Sequence, residues 1–568
     1  MSFSSEQQEY LKGFVAGVDA RQPRPGGGSG GGAPVDALHQ AQDATIAAGG
    51  KLTPEEQAKR ERHPLDRWDE LTARADSGAF PKGTDVLMTK YHGLFFVAPA
   101  QNSFMTRLRI PGGIMTSHQA RGAADIAEEL GGGYLDITTR ANLQIREIAA
   151  AHGPEVVMRL GEIGMLPRGT GADNIRNITA SPTVGIDATE WLDTRPQVRA
   201  LHHHILTTRD LFGLPRKFNI ALDGGGAVAV LEETNDISLR AARTPDGTLL
   251  YALGLGGITG HMDFARQTGV AVPPADVVRL CDAILRVFIA HGDRTDRKKA
   301  RLKYLLDRWG HDKFLGEVEA LFGCPLPRPE GLELAPSGSK HGHVGVHAQK
   351  QAGLSYVGVV TPLGRLTVAQ MRGLAALAEK HGAGEIRLTV WQSLIINDVA
   401  DVAPLLDGIA ALGLSHEASH LRGGLVACTG SAGCKFAASN TKRHAAEIAA
   451  WLDARITLPA PINIHLTGCH HSCAQHYVAD IGLLGAKVER GEEEVEGYDL
   501  HVGGGAGPEQ KIGRLIRPRV AADELAPLLL NLFEAWLREA PGDSFQRFCE
   551  AHDDAALNER LDMAEVDA

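Results

Sequence analysis

The feature that most constrains this chain is an internal repeat. Residues 111–128 align without gaps on residues 362–379, and the match runs on through Gly131/Gly382, Gly133/Gly384 and Thr138/Thr389, always 251 positions apart (111 to 362). Each copy reads alike: an apolar strand, a Pro/Gly turn, a helix with one apolar face through Gln-x-Arg-Gly, then a β-rich run (Leu135-Asp-Ile-Thr-Thr, Ile386-Arg-Leu-Thr-Val). Copies this far apart predict a duplicated protein whose halves pair by pseudo-twofold symmetry, not a solenoid of short repeats. A chain of 568 residues also exceeds one ordinary domain.

Around the copies the chain divides into an N-terminal arm (1–85) and two repeats (86–160 and 340–415), each followed by a longer α/β segment (161–339 and 416–568). The arm contains the linker-like run Gly26–Gly32 and a charged, helix-prone stretch from Pro54 to Arg62. The expected class is α+β.

The net charge of −11 argues against a general nucleic-acid binder. The start of the chain lacks a basic residue followed by an apolar run, and no stretch of eighteen apolar residues occurs. A cytoplasmic protein with no membrane span is expected. Seven cysteines then point to metal binding or catalysis rather than disulfides.

Four of the seven are paired: Cys428 and Cys434 as C-x5-C, Cys469 and Cys473 as C-x3-C. Structural zinc favours two to four intervening residues, which the first pair exceeds. Thr429 to Gly433 are all small, as is Gly468, so the backbone can approach a bulky iron–sulfur cluster and donate N–H groups to its sulfurs. Cys281, Cys324 and Cys549 are scattered and expected to be buried small hydrophobes. Three consecutive imidazoles, His202 to His204, cannot share one face, so they are not expected to hold a metal.

The cysteine pattern and the duplication together resemble the sirohaem-dependent nitrite and sulfite reductases, from about Tyr91 to about Leu530. The resemblance implies ferredoxin-like half-domains paired with the two α/β domains, and a [4Fe–4S] cluster on the four cysteines, with Cys473 also bridging to the sirohaem iron. Cationic motifs of the first half are similar to the family's: Phe104–Gly113, Thr138–Gln144, Asp173–Asn177 and Leu214–Asn219. By resemblance Arg107, Arg176 and Lys217 bind the substrate oxyanion, and Arg140, Gln144 and Arg216 contact sirohaem, whose eight carboxylates call for such pairs. Asn219 stands where sulfite reductases usually carry a second lysine, which favours nitrite over sulfite.

His470-His471 replaces the more usual Pro-Asn, and Val390-Trp391-Gln392-Ser393 replaces Val-Glu-Gln-Asn, so Trp391 and Ser393 are given no cofactor role. No convincing dinucleotide-binding motif occurs, the run His501–Gly507 being a weak match. Electrons therefore arrive from a partner, by resemblance a ferredoxin, with the basic run Arg294–Lys303 as a candidate docking patch. The implied enzyme is a monomer reducing nitrite to ammonia. The alternatives are sulfite reduction on the same scaffold, a precorrin-3B synthase, or a non-catalytic electron carrier.

Overall fold

The computed structural model describes residues 36–563; the Gly26–Gly32 run lies outside them. Each repeat copy begins with a capping box that fixes the start of its helix. Thr116 caps Ser117–Leu130 with Gln119 returning the bond, and Thr367 caps Val368–His381 with Gln370 returning it. The two helices lie side by side. Arg121 pairs with Glu379 and Arg372 with Glu128 (2.6 Å), contacts that the repeat offset converts into one another.

The halves are also joined by strand exchange. The first copy's sheet (Leu94–Val97, Ser103–Arg107, Asn142–Ile148, Tyr134–Thr138) is completed by Arg365–Thr367 of the second. The second copy's sheet (Gly345–Ala348, Ser355–Val359, Leu394–Val399, Glu385–Leu388) is completed by Ile114–Thr116 of the first. The pairs are symmetry mates: Arg365 faces Asp136, and Ile114 faces Arg387. Neither three-residue strand stands alone, so the two copies share one apolar core, including Met115, Leu135, Leu366 and Ile386.

The α/β segments repeat the symmetry. Thr179–Ala180, Ile220–Asp223 and Ile237–Arg243 run parallel, followed by antiparallel Leu249–Leu255 and Arg266–Val272. Leu425–Ala427, Ile464–Thr467, Ile481–Arg490, Glu493–Val502 and Arg514–Ala521 reproduce that order and polarity. Each sheet has its own core, covered by Val277–His291 in the first and Leu525–Glu539 in the second.

Residues 36–85 form helices that pack on the first half. Ala37–Ala47 lies on Val277–His291. Buried Glu56 takes a bond from Arg294 (2.7 Å), and buried Lys59 bonds Glu56 and the Leu214 carbonyl (3.1 Å).

Candidate cofactor and anion site

Both cysteine pairs sit past the carboxyl ends of adjacent parallel strands, where an open α/β sheet places its ligands. Cys428 follows Leu425–Ala427 directly, and Cys469 comes two residues after Ile464–Thr467. Small residues hold these loops together. The Gly468 N–H donates to the Cys428 sulfur (3.2 Å), and Gly430 has φ 70°, with Thr441 N only 2.5 Å from where a Cβ would stand. The His471 Nδ1 lies 3.3 Å from the Cys469 sulfur, its ring packed between Phe436 and His470.

The thiols interact electrostatically: Cys473 feels Cys428 and Cys434, and Cys469 feels the other three. Among the described residues, however, no three His, Cys, Asp or Glu side chains converge on one ion. A single tetrahedral zinc would draw its thiolates to about 2.3 Å from one point. A multi-iron cluster gives each thiolate a separate iron, and four thiols on two adjacent loops are a donor set of the kind that holds one.

Facing Cys473 is a crowd of cations from the first half. Arg107, at the end of its strand, lies over the Phe95 ring (4.8 Å), and its buried Nε has no hydrogen-bond partner. Arg140 donates to Asn235 Oδ1 (3.0 Å) and the Asn177 carbonyl (2.9 Å), but its Nε is also unpartnered. Arg176 makes one long bond to the Asn174 carbonyl (3.4 Å) and feels the charges of Arg107, Arg216 and Arg301. Lys217 feels Arg301, Cys473, Arg176 and Arg216.

Two carboxylates offset part of this charge. Asp173 takes a two-point bond from Arg297 (2.7 and 2.8 Å), with Arg216 and Lys59 each at 3.6 Å, and these cations hold it down to about 2 against its burial. Asp236 pairs with Arg301 (2.6 Å). The remainder is positive. Burial and the neighbouring cations lower Arg176 and push Lys217 to about 7; burial lowers Arg107 and brings Arg140 to about 10. Packed, half-satisfied guanidinium groups of this kind suit a polyanion.

The remaining expectations divide. Asn219 is half-buried, and its backbone N–H bonds Asp236 Oδ2 (2.8 Å). Gln144 is buried, with its Oε1 accepting from Arg146 (2.9 Å). The basic run is not an open docking patch. Arg294 and Arg301 are buried and Arg297 is bound to Asp173, because buried Glu56, Asp173 and Asp236 need counter-charges; Lys298 and Lys299 are exposed. Cys281 and Cys549 are buried, but Cys324 is exposed, since it follows the end of His311–Phe322 at the surface. His204 bonds Asp282 (2.8 Å), and His202 lies beside Arg109. Sequence reading missed Arg146, Asp236 and Arg301. Apart from Gln144 and Asp136 beside Arg146, their partners are tens to hundreds of residues distant, and only the run containing Arg301 gave any signal.

Against known families, residues 171–326 and 421–550 match the nitrite and sulphite reductase 4Fe-4S domain, and residues 98–163 and 347–412 match the nitrite/sulfite reductase ferredoxin-like half domain. The chain belongs to the nitrite and sulphite reductase family. A ferredoxin–nitrite reductase of Synechococcus elongatus is 39% identical over 500 residues, covering 85% of this chain and 96% of that one. An assimilatory ferredoxin-dependent nitrite reductase of Haloferax mediterranei is 32% identical, covering 88% and 92%. The solved Mycobacterium tuberculosis NirA protein superposes with a TM-score of 0.84 at 28% identity, covering 90% of this chain and 99% of that one. Among the described residues no helix is long and apolar enough to cross a membrane.

Proposed function

We propose that this chain reduces nitrite to ammonia, taking electrons from a ferredoxin and acting as a cytoplasmic monomer. The observation that carries the reading is the meeting of the two halves at Cys473, where the first half's Lys217 and Arg107 bring their charge to bear on a second-half thiol. Cys428, Cys434, Cys469 and Cys473 would hold a [4Fe–4S] cluster. Arg140 and Arg216, with Gln144 from the same sequence motif as Arg140, would hold the carboxylates of a sirohaem. The unpartnered Nε atoms of Arg107 and Arg140 support an anionic occupant. When bound, these groups would relay to the substrate the six electrons that the ferredoxin supplies.

The side chains do the rest. Arg107, Arg176 and Lys217 attract the nitrite anion and stabilise charge that develops on oxygen as N–O bonds weaken. Reducing nitrite to ammonia also consumes protons, seven for each molecule and an eighth if the product leaves as ammonium, and a lysine near 7 both donates and recovers a proton at working pH. Asn219 adds no charge, which suits a monoanion better than a partly dianionic sulfite.

The test is an absorption spectrum of the purified holoprotein, followed by steady-state turnover with nitrite and with sulfite using reduced ferredoxin. Sirohaem bands and a clear preference for nitrite are expected. A protein without those bands would refute the enzymatic reading, and a preference for sulfite would overturn the choice of substrate.

A further inference from the structure

Arg146 lies on the strand Asn142–Ile148 of the first half and is 3% exposed. Its guanidinium crosses to the second half's cysteine loop. Nη1 donates to the Gly433 carbonyl (3.2 Å), next to Cys434, and Nη2 donates to Thr429 Oγ1 (2.8 Å), next to Cys428. Gln144 Oε1 (2.9 Å) and Gln101 Oε1 (3.2 Å) hold the group from its own side, and Asp136 Oδ2 stands 3.2 Å from Nε.

Two further observations point the same way. A Cβ on Gly433 would lie 2.8 Å from Arg146 Nη1, so the loop has a glycine where the guanidinium enters. The repeat offset carries Arg146 onto Asn397, in the half that faces no cysteine loop. The charge also remains active electrostatically. Asp136 is shared with Arg365 (2.9 Å) and Lys442 (3.5 Å), so three cations meet one carboxylate, and Arg146 lies close enough to Cys434 to feel its charge.

We infer that Arg146 is a positioning residue for the iron–sulfur cluster: it fastens the Cys428–Cys434 loop to the opposite half, and its buried positive charge raises the cluster's reduction potential. The electrostatic part follows because reduction adds negative charge to the cluster, which a fixed cation nearby favours. The inference rests on the cluster reading above, and its tests read the cluster directly rather than nitrite turnover.

The experiment is an EPR-monitored potentiometric titration of the holoprotein, with iron release to a chelator measured in parallel. Arg146→Gln, which keeps an amide donor and loses the charge, shifts the cluster to a more negative potential. Arg146→Lys keeps the charge but not the two-point reach, so it holds a near wild-type potential and releases iron several-fold faster. Thr429→Val leaves the guanidinium in place and removes one acceptor, so it too speeds iron release without moving the potential. If Arg146→Gln fails to retain iron, the Lys and Val variants decide. Full clusters with wild-type potential in Arg146→Gln, or wild-type iron release in both Arg146→Lys and Thr429→Val, would overturn the inference. Wild-type protein that holds no reducible cluster would instead refute the functional reading beneath it.

Discussion

The two halves share one plan and differ in where their chemistry sits. Beneath both sites the same scaffold is present: Asn219 N–H bonds Asp236 Oδ2 and Asn463 N–H bonds Asp480 Oδ2, each at 2.8 Å, and the next strand bonds back to each asparagine carbonyl. Built on it, the first half carries cations and the second carries cysteines. The repeat offset takes Arg107 to Gly358 and Arg140 to Trp391, and counting along the matched strands takes Lys217 to Pro461. Arg422, just before the matching strand Leu425–Ala427, is bonded to Asp453 at the surface. In the other direction, Cys469 and Cys473 correspond to Gly225 and Ala229. Trp391 fills the second site: it is buried, stacks on His343 (6.0 Å) and donates to the Ala229 carbonyl (3.0 Å). In the proposed function one half's cations and the other half's thiols form a single site, while at the opposite crossing Trp391 fills the space.

The largest effects expected are at the cationic side. Removing a charge proposed to meet the anion, in Lys217→Ala or Arg107→Ala, should lower nitrite turnover by about a hundredfold to a thousandfold. Absorption spectra of the loaded protein check that the cofactors remain. Trp391→Ala, the mate of Arg140, should instead cost about 3 to 5 kcal/mol of stability with turnover per loaded protein little changed. Denaturant melts and steady-state rates on one preparation separate the two outcomes. A loss of turnover in Trp391→Ala without loss of stability would break the division between the halves.

Adding a side chain at the mate of Arg107 is a sharper probe. A Cβ on Gly358 would meet the His343 carbonyl oxygen at 2.0 Å, so even Gly358→Ala forces the backbone apart. It should cost more than about 2 kcal/mol by thermal unfolding. A neutral result would mean that the second half could still accept a side chain there.

The smallest effect concerns Glu233, which lies where the second half has Tyr477. Burial, then the adjacent Glu232, pushes Glu233 up to about 8, and its Oε1 accepts from Gly507 N–H (2.7 Å). A raised carboxyl keeps its proton in the folded state while the unfolded chain loses it. The associated stability is complete below the ordinary value of 4.5 and is lost as pH rises towards about 8. Glu233→Gln should flatten the fall of Tm over that interval; an unchanged slope would show that the group is not buried as described.

The duplication and the cysteine pairs were legible in the sequence because spacing carries them. Gapless repetition marks equal architecture, and C-x5-C with C-x3-C marks paired loops. Strand exchange was not legible, since Arg365–Thr367 and Ile114–Thr116 pair with partners over 200 residues away and nothing local names the partner. The basic run Arg294–Lys303 misled because charge density alone does not reveal that Asp173 and Asp236 stand opposite it. Arg146 was invisible for the same reason: one arginine in a strand pattern reads as an edge residue until the loop it crosses to is known. Its isolation from the paired cysteines had put Cys324 among the buried ones, and its position after a helix end leaves it exposed.

In the proposed site Cys473 joins the cluster to the pocket made by the first half's cations. Mössbauer spectroscopy of the reduced holoprotein tests it most directly. Magnetic coupling between the sirohaem iron and the cluster irons is predicted, and it should vanish in Cys473→Ser. Two independent, uncoupled iron spectra in the wild-type protein would contradict it.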